Sequence, residues 1–272
     1  MGFLRFSLET NRRLQVANFS HFKEPFPHPD RVMEVHDLVY LHTGAWDIGE
    51  EGEVFRLKPG DVIVLAAGRR HFGPSPCAPG TRTRWIHLHP EPADAYSVSH
   101  APRGGGANAV EIPTLVHCGR DPEIRALFEA AIHHHWSSDP LRRLEARLVV
   151  SRLLFALALR ARRSSNPSLG AIDTVIALLE NRPQKPWRLD ELAAQVGLER
   201  RTLTSHFRRR TGTSIHRFAL EHRLRMAASV LAHTPGTTVR SVAEQFGFWD
   251  EFHFSRAFKK FHGRPPSRVL EE

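Results

Sequence analysis

Two stretches fifty residues apart decide how this chain is read: LDELAAQVGL, Leu189–Leu198, and VRSVAEQFGF, Val239–Phe248. Leu192 answers Val242, Ala193 answers Ala243, Gln195 answers Gln245 and Gly197 answers Gly247. Beyond them the offset becomes 51, and Leu203, Phe207, Arg208-Arg209 and Gly212 answer Phe254, Phe258, Lys259-Lys260 and Gly263. The small residue in each copy lets a second helix cross closely. The glycine four places on suits a left-handed turn that a Cβ resists. The apolar anchors beyond it stand four apart, at helical spacing. Each copy therefore reads as a helix-turn-helix, whose second helix is the element that enters a major groove. Ser214–Ala232 reads as one long helix holding the two copies at a fixed separation.

Charge divides along the chain in the same sense. Residues 1–139 hold 14 Lys/Arg and 17 Asp/Glu, a net of −3, whereas 140–163 hold 7 and 1, and 164–272 hold 17 and 11, a net of +6 each. A basic back half suits a polyanion, although a basic surface alone also serves solubility. No apolar run approaches the ~18 residues of a membrane span, and the first residues are too polar for a secretory signal. Cytoplasm is the expected location. Cys77 and Cys118 lack metal or redox spacing and are expected to be free thiols.

Working toward the N-terminus, Ser164-Ser165-Asn166-Pro167-Ser168 reads as a linker. Asp121-Pro122 and Asp139-Pro140 each combine an N-cap with proline at the first helical position. The second opens a helix on which Leu141, Leu144, Leu148, Ser151 and Phe155 run down one side, with Val149, Leu153 and Leu157 widening the stripe. So broad a stripe calls for cover from the preceding domain, from a second subunit, or from both. Residues 20–112 read as β: the apolar runs Leu38–Leu41, Val62–Leu65 and Trp85–Leu88 are separated by turns such as Pro59-Gly60-Asp61, and 97–112, with Gly104-Gly105-Gly106, reads as loop.

The C-terminal segment resembles the DNA-binding domain of the AraC/XylS family of bacterial regulators. The resemblance rests on Gly247-Phe248, the run Phe254–Lys260, Gly263 and Pro266, with Arg223-Leu224, Ala227 and Leu231 in the spacer. Ile215 and His253 depart from it, standing where the family often has Pro and Tyr. Residues 28–90 resemble a cupin, the small β barrel that serves as sensor in many such regulators, through Phe55–Val62 and Ala67–Gly73. There Ala66 replaces the proline of the second cupin motif.

The expected architecture is thus an all-β cupin-like barrel (1–112), dimerisation helices (113–163), a linker (164–170) and an all-α tandem helix-turn-helix domain (171–272). The resemblance implies base readers Arg201, Thr204 and Ser205 in the first unit and Glu251, Phe252, His253 and Arg256 in the second. Arg208, Arg209, Lys259 and Lys260 would hold phosphates, although cations also favour helix C-termini without any ligand. By similarity to sugar-sensing members, the effector would meet Arg31, His71, Phe72, Thr83, Trp85 and His87. Expected partners are promoter DNA, a small molecule (a sugar first, an aromatic or other metabolite second), RNA polymerase and a second copy of the chain. The alternative is a metal-dependent cupin enzyme fused to a DNA-binding domain. It needs converging ligands, and the first motif's His-x-His is missing; only His71 is well placed, so neither metal nor cofactor is expected. His133-His134-His135 lies on a helix, where neighbours point about 100° apart.

Overall fold

A computed structural model describes residues 2–9, 12–98, 108–119, 121–165 and 167–270. The chain forms two compact units, Met1–Ser165 and Asn166–Glu272.

The first unit holds β1 (Phe3–Ser7), β2 (Leu14–Phe22), β3 (Arg31–Val32), β4 (His36–Thr43), β5 (Trp46–Glu50) and β6 (Glu53–Leu57). Then follow β7 (Asp61–Leu65), β8 (Arg70–Phe72), β9 (Thr81–Leu88), β10 (Ala95–Ser97), β11 (Ala109–Pro113) and β12 (Leu115–His117). They build three antiparallel sheets, in the orders β10-β1-β11, β12-β7-β4-β9-β2 and β3-β8-β5-β6. Alternation along the strands explains how the five-stranded sheet can be apolar on both faces. Val39, Leu41, Ile63 and Leu65 meet Trp46, Ile48, Phe55 and Leu57 of the four-stranded sheet and form the barrel interior. Their neighbours Leu38, Tyr40, Val62, Val64, Ile86 and Leu88 face the other way, into a core shared with Leu4 and Phe6 of β1.

Two helices, α1 (Pro122–His135) and α2 (Pro140–Ser165), close that second core with Phe128, Val150, Leu153, Leu154 and Leu157. Both Asp-Pro starts act as read: Asp121 accepts the Glu123 amide at 2.9 Å and Asp139 the Leu141 amide at 2.9 Å. The stripe on α2 divides in two. Leu153 and Leu157 are buried in the domain, while Leu141, Leu144, Leu148 and Phe155 stay exposed. Those four positions, with Ser151 between Leu148 and Phe155, follow the alternating three- and four-residue steps of a coiled-coil seam.

Two expected boundaries shift. Residues 109–113 are strand β11, because Val110 and Ile112 alternate toward the core and pair with β1; Gly104-Gly105-Gly106 lie outside the described residues. The segment 164–170, expected as linker, is mostly helical. Helix α2 runs to Ser165 and α3 starts at Pro167, a residue suited to a helix's first turn.

The second unit is helical: α3 (Pro167–Asn181), α4 (Leu189–Val196), α5 (Arg200–Thr211), α6 (Ile215–His233), α7 (Val239–Gln245), α8 (Glu251–His262) and α9 (Pro266–Leu270). The repeat is physical. Leu192, Ala193, Leu203 and Phe207 bury in one core, with Ile172 and Val175 of α3. Their counterparts Val242, Ala243, Phe254 and Phe258 bury in another, with Leu224, Ala227 and Leu231 of α6. The turn glycines 197 and 247 have φ of 63° and 68°, and Gly212 and Gly263 close the second helices at 74° and 78°.

Candidate nucleic-acid interface and barrel site

Burying Leu203 and Phe207 fixes the rotation of α5 and turns Arg201, Thr204, Ser205, Arg208 and Arg209 outward. These five, with Arg200 and Leu189, line one shallow surface depression, so the predicted residues of the first unit share a face. Thr204 donates its hydroxyl to the Arg200 carbonyl at 2.8 Å, which leaves its methyl and its oxygen lone pairs to a partner. Arg200 is drawn back to Asp190, 3.0 Å away.

In the second unit Phe254 and Phe258 play the anchoring part, and Phe252, His253, Arg256, Lys259 and Lys260 are exposed; Glu251 is half-buried. The start of α8 is fixed by Asp250, whose carboxylate accepts the His253 amide at 2.6 Å. Helix α7 is held by a reciprocal Thr238–Ser241 capping box. Sequence reasoning missed Trp249. It stands 94% exposed, and Phe252, three residues on, 72%: two large exposed aromatic side chains at the start of α8. The available signal was its position, a tryptophan between the turn glycine and the helix cap.

In the barrel, strand alternation sorts the predicted effector residues. Thr83, Trp85 and His87 lie on one face of β9, the face toward the barrel interior. The Trp85 indole N–H donates to Ser20 Oγ at 3.0 Å, and its ring lies 4.7 Å from that of His87. His71 is buried on β8. Arg31 is its cross-strand partner and reaches to 3.9 Å from Asp37. Phe72 does not join this group. It lies on the opposite face of β8 from His71, packed near Gly49 under the Arg70 guanidinium, 4.8 Å from its ring centre.

The expectation that the histidines fail to converge also needs correction. His28 comes from the loop before β3, and its ring centre lies 5.0 Å from that of His71. Asp37, on β4, is the cross-strand partner of His87, whose Nε2 lies 3.5 Å from the Asp37 carboxylate. The ligand-bearing atoms of His28, Asp37 and His71 lie within 4.8 Å of one another, and all three residues are buried. A sequence search for His-x-His could not find a group assembled from a loop and two sheets. His133, His134 and His135 behave as read: exposed, buried and half-buried in turn.

Burial pushes the His71 imidazole down to about 4, helped by the neighbouring His28, and burial lowers His28 as well. Both rings are therefore neutral near pH 7. Elsewhere in the unit, Asp94 gathers the Ser7 and Glu91 amides, the two terminal guanidinium nitrogens of buried Arg12, and His36. That junction ties the end of β1 to the chain just before β10.

The first unit is thus a β barrel with polar side chains gathered inside it, and the second a pair of helix-turn-helix units with basic outer faces. Residues 27–157 match the model of the AraC-like ligand binding domain, and residues 192–272 match that of a helix-turn-helix domain. The chain thus joins an AraC-like ligand binding domain to a helix-turn-helix domain, the combination its AraC-type relatives are named for. Among its relatives, the uncharacterized HTH-type transcriptional regulator YidL of Escherichia coli K12 is 36% identical over 106 residues, 39% of this chain and 35% of that protein. The HTH-type transcriptional activator RhaR of Salmonella schwarzengrund is 28% identical over 152 residues, 54% of this chain and 53% of that one. The chain thus spans about a third to a half of the length of these curated relatives. A solved structure of a probable AraC family transcriptional regulator from Rhodopseudomonas palustris covers 37% of this chain and 94% of its own, at 30% identity and a TM-score of 0.35. No helix among the described residues is long and apolar enough to cross a membrane.

Proposed function

We propose that this chain is a sequence-specific regulator of transcription that reads promoter DNA with α5 and α8 and responds to a small molecule held in its barrel. The observation that carries the reading is the matched pair of helices whose buried anchors turn arginine-bearing faces outward. Arg201 and Arg256 are the leading base readers, since arginine pairs bidentately with guanine. Thr204, Ser205, Phe252 and His253 add polar and methyl contacts, and Glu251 borders them. Arg208, Arg209, Lys259 and Lys260 hold phosphates. In the barrel, Trp85, with Thr83 and His87 on its face, receives the effector, a sugar first, because an indole face stacks on a sugar ring. His71 and Arg31 border that region. The working place is the cytoplasm and the further partner RNA polymerase. The role is regulatory, not enzymatic.

Footprinting of the full chain on the DNA beside its own gene tests the reading. A discrete protected site that survives excess competitor is expected. Arg256→Ala should cost ~1–3 kcal/mol and relax preference at one base position. Salt-sensitive binding without a discrete site would replace sequence reading by phosphate contact alone.

The exposed seam of α2 supports a homodimer, since four large apolar side chains at coiled-coil spacing find no cover within their own domain. Leu148→Glu should shift sedimentation of the full chain from dimer to monomer. An unchanged sedimentation coefficient would move the interface elsewhere.

A further inference from the structure

We propose that the barrel interior is a binding site for one divalent transition-metal ion, with His28, Asp37 and His71 as ligands and His87 beside them. The proposal stands on the barrel's own residues and does not depend on the DNA-binding reading.

The three side chains are 5%, 3% and 2% exposed, so none is a surface group gathered by chance. Their polar atoms are short of partners. Neither ring nitrogen of His71 has a hydrogen bond, nor does Oδ1 of Asp37. Burying such atoms without partners is costly, most of all for a carboxylate. Around the Asp37 carboxylate, the Arg31 guanidinium lies 3.9 Å away on a side chain 39% exposed, and His87 Nε2 lies 3.5 Å away, beyond normal hydrogen-bond length. A bound cation would satisfy the imidazole lone pairs and the carboxylate together.

His28 is prepared for that task. Its Nδ1 lies 3.1 Å from the Pro29 carbonyl, and a carbonyl only accepts, so Nδ1 carries the proton and Nε2 is left with its lone pair. A histidine ligand is commonly fixed in this way, by donating its other ring N–H to a carbonyl. Backbone geometry holds the loop in place. The Gly73 amide donates to the His28 carbonyl at 3.0 Å, and a Cβ on Gly73 would lie 2.4 Å from the His28 nitrogen. Glycine two residues after His71 is what allows the His28 loop to approach this closely.

The donor set limits the ion. Two imidazoles and one carboxylate suit Zn²⁺, Fe²⁺, Co²⁺, Ni²⁺ or Mn²⁺; Mg²⁺ and Ca²⁺ prefer all-oxygen sites, and no cysteine belongs to the cluster. Bonds of about 2.0–2.2 Å would draw the ligand atoms together by roughly an ångström from their present separations. Three protein ligands leave a coordination position for His87 or for an oxygen donor of a bound small molecule.

The test uses untagged full-length protein, stripped with a chelator and titrated with Co²⁺ and, separately, Zn²⁺. One ion per chain is expected, with the visible spectrum of Co²⁺ bound to nitrogen and oxygen. Asp37→Asn and His71→Ala should each weaken binding by more than about a hundredfold, beyond the 10–100-fold typical of losing an outer partner. His133→Ala with His135→Ala, in the tract on α1, should leave it unchanged. Binding that follows the α1 histidines instead, or no stoichiometric binding at all, overturns the proposal. Should the barrel variants not fold, X-ray absorption of the wild-type metal complex decides. Two imidazoles and an oxygen donor in the shell support the site, whereas a sulfur or single-imidazole shell refutes it.

Discussion

The two units handle polarity in opposite ways. Among the described residues, the buried polar and charged side chains run from Ser7 to His134, all within the first unit. The fully buried side chains of the helical unit are apolar, and the cations on the outer faces of α5 and α8 are exposed; Arg223 of α6 is half-buried, over the Phe248 ring. A buried polar group costs free energy unless it is paired, so the barrel carries that cost where a ligand could repay it. The helical unit carries most of its polar groups on its surface, where an external partner of the proposed kind would meet them. The difference teaches where each unit does its work: one within, the other at its surface.

The comparison is most exposed to failure at Asp94, where the largest effect is expected. Its side chain is 3% exposed and that of Arg12 is 0%. Removing one partner of such a pair leaves the other charge buried, at a cost of about 3–5 kcal/mol. Asp94→Ala should therefore strip hydrogen-exchange protection from β1 and β10 and leave α5 and α8 as they were. Equal losses in both units would mean that the barrel's buried polarity is not local to it. Acid gives a second view of the same junction. Burial pushes the Asp94 carboxyl up, but hydrogen bonds from His36, Arg12 and the Glu91 amide outweigh it and hold the group well below the usual carboxylate range. The stabilisation is complete above the ordinary carboxylate value and is lost as pH falls below it toward the folded one. Acid titration followed by segment-resolved exchange should show β1 opening before the helices. Helices that open first would reverse the expectation.

A smaller effect separates the two helix-turn-helix copies. Gly197 and Gly247 share a left-handed backbone, which costs a residue with a Cβ roughly 1–2 kcal/mol. A Cβ on Gly197 meets open space, whereas on Gly247 it would lie 2.6 Å from the Gln184 carbonyl oxygen. Gly247→Ala should thus lower the midpoint of thermal unfolding more than Gly197→Ala. Equal shifts would mean that the Gln184 loop yields without cost.

The helical unit was legible because its information is local and repeated. Helical periodicity places Leu203 and Phe207 inside, and Arg201, Thr204 and Ser205 then have to be outside. Trp249 escaped because it precedes the helix and falls under no periodic rule. In the barrel, alternation sufficed for Val39, Leu41, Thr83, Trp85 and His87. It also had the means to exclude Phe72, adjacent to His71 and so on the other face. Asp37 could have been noticed as a charge at an inward position of an otherwise apolar strand. His28 could not, since its place depends on a loop brought close by the β3–β8 pairing and by Gly73. The α2 stripe was visible as one broad face, but only packing could divide it into a core half and an exposed half. The supposed linker failed for a related reason: its serines and Asn166-Pro167 describe a helix boundary as well as they describe a loop.

The smallest effect on stability, and the sharpest on the reading of the surface, is expected at Lys259. It is exposed in the last turn of α8, where the helix dipole alone can make a cation favourable by about 0.3–1 kcal/mol. Two roles are therefore open to it, and they differ in what salt does. If Lys259 holds a phosphate, Lys259→Ala weakens binding to every DNA sequence alike and lowers the slope of log affinity against log salt by about one. Thermal stability moves by no more than about 0.5 kcal/mol, as for an ordinary surface change. If it serves only the helix end, the salt slope stays put and the whole effect is in stability. Binding titrations of the full chain at several salt concentrations separate the two. An unchanged slope would show that polarity on the helical surface, too, can serve the fold, and the contrast between the units would narrow to the residues that touch bases.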